Sequence, residues 1–395
     1  MNKQRLHFHV LNVGHALDHF FILIFPTAVL ALQKSWDIDY AELLTYGTFG
    51  VLAYGLGSIP SGWLGDRWSQ RGMMNAYYYG MGLSAILTAF AQTPTQLATG
   101  VAAIGLFASI YHPVGTALVF STAKKTGRAI AVNALAGNMG LACAAGVTAL
   151  LSQVIGWQAA FIIPGILCVL AGVVYTLVSR DVKIFQHRGN QQNETYSSNN
   201  TLIKMFAVIA VIACFGGLVF QSLTTALPKI IDASFNISLS TTGMLSTTIY
   251  LLAAVIQLII GELLDRVSAR LLLIFVTSSQ VVFLILAAFT SGWMLIPVFI
   301  GLMSSTYAQI PINDWLIGRH SSDQWRSRIY AMKYMVSFST APVAYWLIAV
   351  IYGKTNEFNS LYGILAAGML LSTLAAWLMP VIRSESDEAY RHNLA

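Results

Sequence analysis

Four side chains in this sequence have the chemistry to handle a proton or a metal ion within otherwise apolar stretches. His15, Asp18 and His19 fall within one turn of a helix. At about 100° per residue they share roughly a third of its circumference, and therefore one face. His112 follows in Ile110-Tyr111-His112-Pro113-Val114-Gly115. An ionised carboxylate in hydrocarbon costs several kcal/mol unless paired, so Asp18 needs a cation or a shared proton. Imidazoles are natural partners because they gain or lose a proton near neutral pH. Asp18 and His112 are expected to carry the proton, with His15 and His19 tuning it.

The same donors admit another chemistry. Two histidines at i and i+4, a carboxylate at i+3 and a third imidazole could ligate a divalent transition metal. A metal ion, or a metal chelate such as a siderophore, is therefore the alternative cargo. A polar cluster that only locks helix one to helix four is the structural alternative.

The elements that hold these groups must be membrane helices. With 395 residues, 56% hydrophobic and 10% charged, and a mean hydropathy of +0.66, the chain is too apolar for an ordinary soluble protein. A hydrocarbon core about 30 Å thick takes about 20 apolar residues per helix. Apolar runs predict helices near 10–32, 41–63, 73–91, 96–120, 128–154, 158–179, 203–230, 240–263, 270–290, 293–317, 328–352 and 360–382. The fold class is thus all-α membrane protein with twelve transmembrane helices. At ~1.5 Å per residue, Asp18 and His112 both lie roughly 13 Å from one boundary, near the midplane.

Charge placement sets the expected orientation. Of 22 Lys and Arg residues, Lys34, Lys229 and Lys354 fall on one side and the remaining nineteen in or beside segments of the other. Both termini are therefore expected in the cytoplasm. The net charge of +6 is spread over alternate loops, which gives no nucleic-acid face. Cys143, Cys168 and Cys214 sit in apolar runs without Cys-x-x-Cys spacing, so neither a disulfide frame nor a zinc knuckle is expected. Lys3 and Arg5 before an apolar run imitate a signal peptide, but the run is long and carries Asp18 and two histidines, which predicts an uncleaved first helix.

The chain also repeats itself. Gly62-Trp63-Leu64-Gly65-Asp66-Arg67-Trp68-Ser69-Gln70-Arg71-Gly72 returns in degenerate form as Gly261-Glu262-Leu263-Leu264-Asp265-Arg266-Val267-Ser268-Ala269-Arg270. Ser35-Trp36-Asp37-Ile38 answers Ser234-Phe235-Asn236-Ile237, Ile104–Tyr111 answers Ile300–Tyr307, and Gly127-Arg128 answers Ser327-Arg328, with offsets between 196 and 200. Two pseudo-symmetric six-helix bundles follow: 1–180, a polar cytoplasmic linker over 181–202, and 203–395.

The repeated Gly-x-Leu-x-Asp-Arg stretch resembles the signature loop of the major facilitator superfamily, between the second and third helices of each half. Gly62, Leu64, Asp66, Arg67 and Arg71 match it, as do Gly261, Leu263, Asp265, Arg266 and Arg270, whereas Ser69 and Gln70 depart from it. The resemblance implies a cytoplasmic gate, formed by Gly62, Asp66, Arg67, Arg71, Asp265, Arg266 and Arg270, whose charge pairs break and re-form during transport. His15 and the His112-Pro113 pair are also similar to the fosmidomycin-resistance group of bacterial facilitators. The Gly-Pro-x-x-Gly-Gly motif of drug/proton antiporters is missing from helix five, so import and export both stay open. By resemblance the setting is a bacterial inner membrane and the protein a monomer.

Comparing the halves points to the cargo path, because polar residues without a counterpart are not needed by the scaffold alone. Counted at the repeat offset, His15, Asp18 and His19 correspond to Cys214, Gly217 and Leu218 of the second half, and His112 to Ala308. Lys333 replaces Asn133, and either snorkels to the surface or attracts an acidic substrate. Asn133, Asn138, Tyr111, Tyr307 and Lys333 are the candidate cavity residues. Glu262 and Asp314 are expected to pair with Arg266, Arg319, Arg326 or Arg328. The function expected is secondary active transport of a small solute by alternating access, with protons and the lipid bilayer as further partners. A receptor or scaffold would not need two gate loops and lacks a signalling domain on its short tails. An enzyme is not expected: no nucleophile stands beside the His-Asp-His set, and no phosphate loop or cofactor motif occurs.

Overall fold

A computed structural model of the protein describes residues 3–122, 126–180, 182, 199–264, 266–320 and 323–379. Among these there is no strand, and the chain is built from α1 (Lys3–Trp36), α2 (Tyr40–Arg67), α3 (Gln70–Thr88), α4 (Pro94–Thr122), α5 (Thr126–Val154), α6 (Ala159–Ser179), α7 (Asn199–Phe235), α8 (Leu239–Leu263), α9 (Ala269–Phe289), α10 (Leu295–His320), α11 (Asp323–Thr355) and α12 (Asn359–Trp377). Ten of them are long and apolar enough to cross a membrane; α2 and α3, rich in glycine and tyrosine, fall short on apolarity. Several helices outrun the apolar stretches that predicted them: α1 begins at Lys3 rather than near 10, and α11 at Asp323 rather than near 328. Hydropathy marks only the part of a helix that hydrocarbon covers, and a helix continues beyond it until something caps it.

The caps are legible. Ser69, Thr93 and Ser238 accept hydrogen bonds from backbone N–H groups at the starts of α3, α4 and α8. Asp37, Asn236 and Asn356 follow α1, α7 and α11 with φ of 54°, 45° and 53°. This left-handed conformation ends a helix and is tolerated by Asp and Asn better than by other side chains. The repeated quartets at 35–38 and 234–237 are thus two copies of one helix stop.

The repeat is equally plain in the packing. α1 packs on α5, α2 on α4 and α3 on α6; α7 packs on α11, α8 on α10 and α9 on α12. Two six-helix bundles result, meeting chiefly through α2 with α11 and α5 with α8. We call the side where α6 ends and α7 begins the linker face, and the opposite side the far face. Toward the far face the bundles touch directly: Gln153 Oε1 accepts a bond from Ser240 N (2.8 Å), Thr247 Oγ1 one from Gly146 N (2.9 Å), and a Cβ on Gly353 would lie 3.0 Å from that of Ala41.

The signature stretch is mostly helix rather than the predicted turn. Gly62–Arg67 form the end of α2, Gln70 and Arg71 begin α3, and only Trp68 and Ser69 lie between. Ser69 at the N-cap permits so tight a connection, because its side chain accepts from Gly72 N at 3.0 Å. Of the expected linker, 181 and 183–198 lie outside the described residues, as do Asp265 and the side chains of Arg128, Arg319, Arg326 and Arg328.

Candidate coupling site and central cavity

The site begins with a fault in α4. Its α-helical turns stop at Ala108, and Tyr111–Gly115 form a π-helical turn before the α-helix resumes at Thr116. Pro113 has no N–H to give the carbonyl four residues back, so the ladder loses a bond here, and Thr116 N reaches Tyr111 O instead. His112 stands on this widened turn. Its Nε2 lies 3.5 Å from Asp18 Oδ2 of α1.

Asp18 is wholly buried. Tyr54 of α2 donates its hydroxyl to the same Oδ2 at 3.3 Å, while Oδ1 has no hydrogen-bond partner among the described residues. The side chain of His112 is 28% exposed against 0% for Asp18, so the imidazole is the more accessible member of the pair.

The other two histidines form a connected set. His15 Nδ1 lies 2.7 Å from the carbonyl oxygen of Asn133 in α5, which can only accept, so Nδ1 carries the proton. In neutral His15 the lone pair is then on Nε2, which faces His19 Nε2 at 3.2 Å. The His15 ring stacks on Tyr111 at 4.8 Å and 16°, and the ring of His112 stands nearly perpendicular to those of His15 and His19 at 5.2 and 5.4 Å. Room for both α1 rings comes from α5. A Cβ on Gly137 would lie 2.9 Å from His15 and 3.0 Å from His19, and one on Gly140 would run into the Ala16 carbonyl.

Tyrosines stitch α1 into place. Tyr77, Tyr78 and Tyr111 donate to the carbonyls of Gly14, Val10 and Leu11, each at 2.7 Å. These carbonyls already serve the α1 ladder and accept a second bond on their remaining lone pair.

Between the bundles lies a cavity walled by rings from both sides: Phe25, Tyr54 and Phe161 from the first, Phe220, Phe338 and Tyr345 from the second. His19, Gln221 and Thr224 add polar atoms, and among the described residues its lining includes no Lys, Arg, Asp or Glu. Phe338 of α11 packs against both His112 and Tyr54, with centroids 5.7 Å away in each case.

Several expected cavity residues lie elsewhere. Asn133 is buried in the first bundle, donating to Asn12 Oδ1 (2.9 Å) and the Tyr111 hydroxyl (2.8 Å), so Asn133 and Tyr111 hold the His15 ring rather than line the cavity. Tyr307 is buried in the second bundle beside Phe220. Asn138 bridges the bundles through Gln257 Oε1 at 2.9 Å. Lys333 is not part of the lining; its Nζ pairs with Asp314 at 2.9 Å, and the arginines expected to pair with Asp314 have side chains outside the described residues. Glu262 pairs with Arg266 at 2.6 Å, as expected.

The gate arginines reach backbone. Arg71 donates to the carbonyls of Arg180 and Val182, just past α6, and Arg270 to that of Trp377, at the end of α12. Each therefore caps the last helix of its own bundle, where orphan carbonyls favour a cation. Arg67 lies over the Trp63 ring at 5.1 Å, and Asp66 is exposed beside it. Sequence reasoning left three contributors unassigned: Tyr54 as donor to Asp18, Gly137 as the space for the imidazoles, and Phe338 as the contact from the opposite bundle. Of the three, only Gly137 carries a signal in the sequence, since it lies one helical turn after Asn133.

A paired-bundle helical fold around a central cavity, with a buried acid beside it, is that of a membrane transporter. The family model of the Major Facilitator Superfamily matches residues 11–230 and again 209–392, and the chain belongs to that family. Among solved structures it is similar to a D-xylose-proton symporter, with a TM-score of 0.76 at 10% identity over 94% of this chain and 96% of that one. It is also similar to a bacterial homolog of the human lysosomal transporter Spinster, inward-facing and occupied, with a TM-score of 0.73 at 13% identity over 94% and 93%. A curated relative, the 4-hydroxybenzoate transporter PcaK of Pseudomonas aeruginosa, is 26% identical over 146 residues, 36% of this chain and 33% of that protein. The match thus spans about a third of the relative's length. The protein is an integral membrane transporter for small molecules and not an enzyme.

Proposed function

We propose that the protein moves its solute together with protons, and that Asp18 is the acid that takes and releases the proton. One observation carries this reading: a fully buried carboxylate has a partly exposed imidazole 3.5 Å away, and that imidazole packs against Phe338 of the opposite bundle. A proton arriving from the cavity binds His112 and passes to Asp18, where the Tyr54 hydroxyl bonds the carboxylate while it is charged. Phe338 ties this exchange to bundle movement, because rocking of 203–395 against 1–180 about the linker 181–202 draws the ring away from His112. The Lys and Arg distribution supports a cytoplasmic linker face in this reading, where Asp66 and its neighbours gate access.

The cavity lining narrows the cargo. A polyhydroxylated solute would leave many groups without partners, and a phosphate would lack a guanidinium or ammonium. A small organic molecule with an apolar ring and a single hydroxyl or carboxyl group fits best, the ring between phenylalanines and the polar end toward His19. The relative named for 4-hydroxybenzoate transport agrees with this class. Proteoliposomes given radiolabelled benzoate or 4-hydroxybenzoate with and without an imposed pH gradient test the proposal. Accumulation that needs the gradient and collapses with a protonophore supports it; uptake indifferent to the gradient contradicts it.

A second reading has its own observation. Ligand nitrogens of His15, His19 and His112 lie within 4.8 Å of one another, and two of them are 3.2 Å apart, close to the ~3.3 Å separating two nitrogens on a tetrahedral zinc. The cargo would then be a divalent metal. Calorimetry with Zn²⁺ and Mn²⁺ decides: binding lost in His15→Ala and His19→Ala favours the metal, and no binding to the intact protein removes it.

A further inference from the structure

A lysine stands buried at the far face, where a membrane protein would be expected to leave it in water. Lys229, in the last turns of α7, has a side chain only 8% exposed. Its Nζ pairs with Asp232 Oδ2 of the same helix at 3.1 Å, donates to Gln33 Oε1 of α1 at 3.4 Å, and lies 5.2 Å from the ring of Tyr40 in α2 and 5.4 Å from that of Tyr352 in α11. The two rings meet edge to face at 5.5 Å, one from each bundle. The ammonium is therefore caged by one bundle through Asp232 and Tyr352 and by the other through Gln33 and Tyr40.

We infer that Lys229 is the latch of the far-side gate. Asp232 and Tyr352 travel with Lys229 when the bundles rock, so they bind it equally well whether the far face is open or closed. Gln33 and Tyr40 belong to the other bundle and bind it only when that face is shut. Interactions present in one state alone shift the equilibrium between states, and those common to both do not. A desolvated ammonium over an aromatic face, with a charge-assisted hydrogen bond beside it, holds the closed state while still letting water replace both partners on opening. Immediately beside the cage the outer ends of α2 and α11 close to van der Waals contact, at Ala41 and Gly353. This assignment concerns the gate and is independent of which solute or ion is carried.

The Ala41 and Gly353 pair supplies the test. In full-length protein with Cys143, Cys168 and Cys214 changed to alanine, Ala41→Cys with Gly353→Cys brings two thiols to disulfide distance when the far face is shut. Oxidative cross-linking in proteoliposomes should be fast, and Lys229→Met, which keeps the apolar stem, should slow it about tenfold. Lys229→Arg should restore it. Gln33→Leu and Tyr40→Leu remove only the partners from the opposite bundle and leave Lys229 with Asp232, so each should slow cross-linking severalfold even if Lys229→Met does not fold. Equal cross-linking rates in Gln33→Leu, Tyr40→Leu and the parent overturn the latch.

Discussion

His112 Nε2 and the Asp18 carboxylate lie 3.5 Å apart, yet the imidazole is partly exposed and the acid wholly buried. Under the proposed function, the histidine is the proton's route to the acid. His112→Gln keeps the size and some hydrogen bonding but cannot carry a proton at neutral pH. Gradient-driven uptake should fall at least about tenfold, as expected when a positioned proton carrier is lost. Solute affinity, measured by equilibrium binding, should change by less than about threefold, a bound set by losing one neutral hydrogen bond. An equal loss in binding would reassign His112 to the solute site.

Gly137 gives a prediction whose sign depends on context. Glycine to alanine inside a free helix gains about 1 kcal/mol. Here the new methyl would sit 2.9 Å from His15 and 3.0 Å from His19, and the His15 ring is not free to retreat, since it is bonded to Asn133 and stacked on Tyr111. Overpacking costs typically about 1–3 kcal/mol, so Gly137→Ala should lower the thermal midpoint and impair transport. A raised midpoint with full transport would show that the rings have room to spare.

Much of this was legible in the sequence, for identifiable reasons. Ten of the twelve helices follow from hydropathy, which responds directly to the bilayer, and α2 and α3 from the charged and turn residues that bound them. The twofold repeat reappears in the left-handed residues Asp37 and Asn236 and in the helix-capping arginines Arg71 and Arg270. The His15, Asp18 and His19 face follows from helical periodicity. What periodicity leaves undetermined is which neighbour a face meets. Asn133 and Tyr111 have cavity chemistry but point into the bundle, where they bond each other. The π-helical turn at Tyr111–Gly115 was out of reach too: Pro113 announces a missing bond without saying whether the helix kinks or widens.

Lys333 and Asp314 form a pair at 2.9 Å with side chains 9% and 30% exposed. Removing either partner takes a charge-assisted hydrogen bond from the other, and removing both loses that bond only once. Lys333→Met and Asp314→Leu should each destabilise the protein by about 1–3 kcal/mol, and the double variant by less than the sum of the two. Thermal unfolding of the three variants checks the sum. If the two losses simply add, the residues act separately.

The decisive measurement is proton movement in Asp18→Asn. Proteoliposomes loaded with a pH-sensitive dye report protons carried inward when solute is added outside, and solute counterflow in the same vesicles reports whether the bundles still rock. With Asp18 intact, solute addition should acidify the lumen or, for exchange in the opposite sense, alkalinise it. In Asp18→Asn that signal should vanish while counterflow persists. A solute-driven proton signal of undiminished size in Asp18→Asn would contradict the assignment of this carboxylate as the proton carrier.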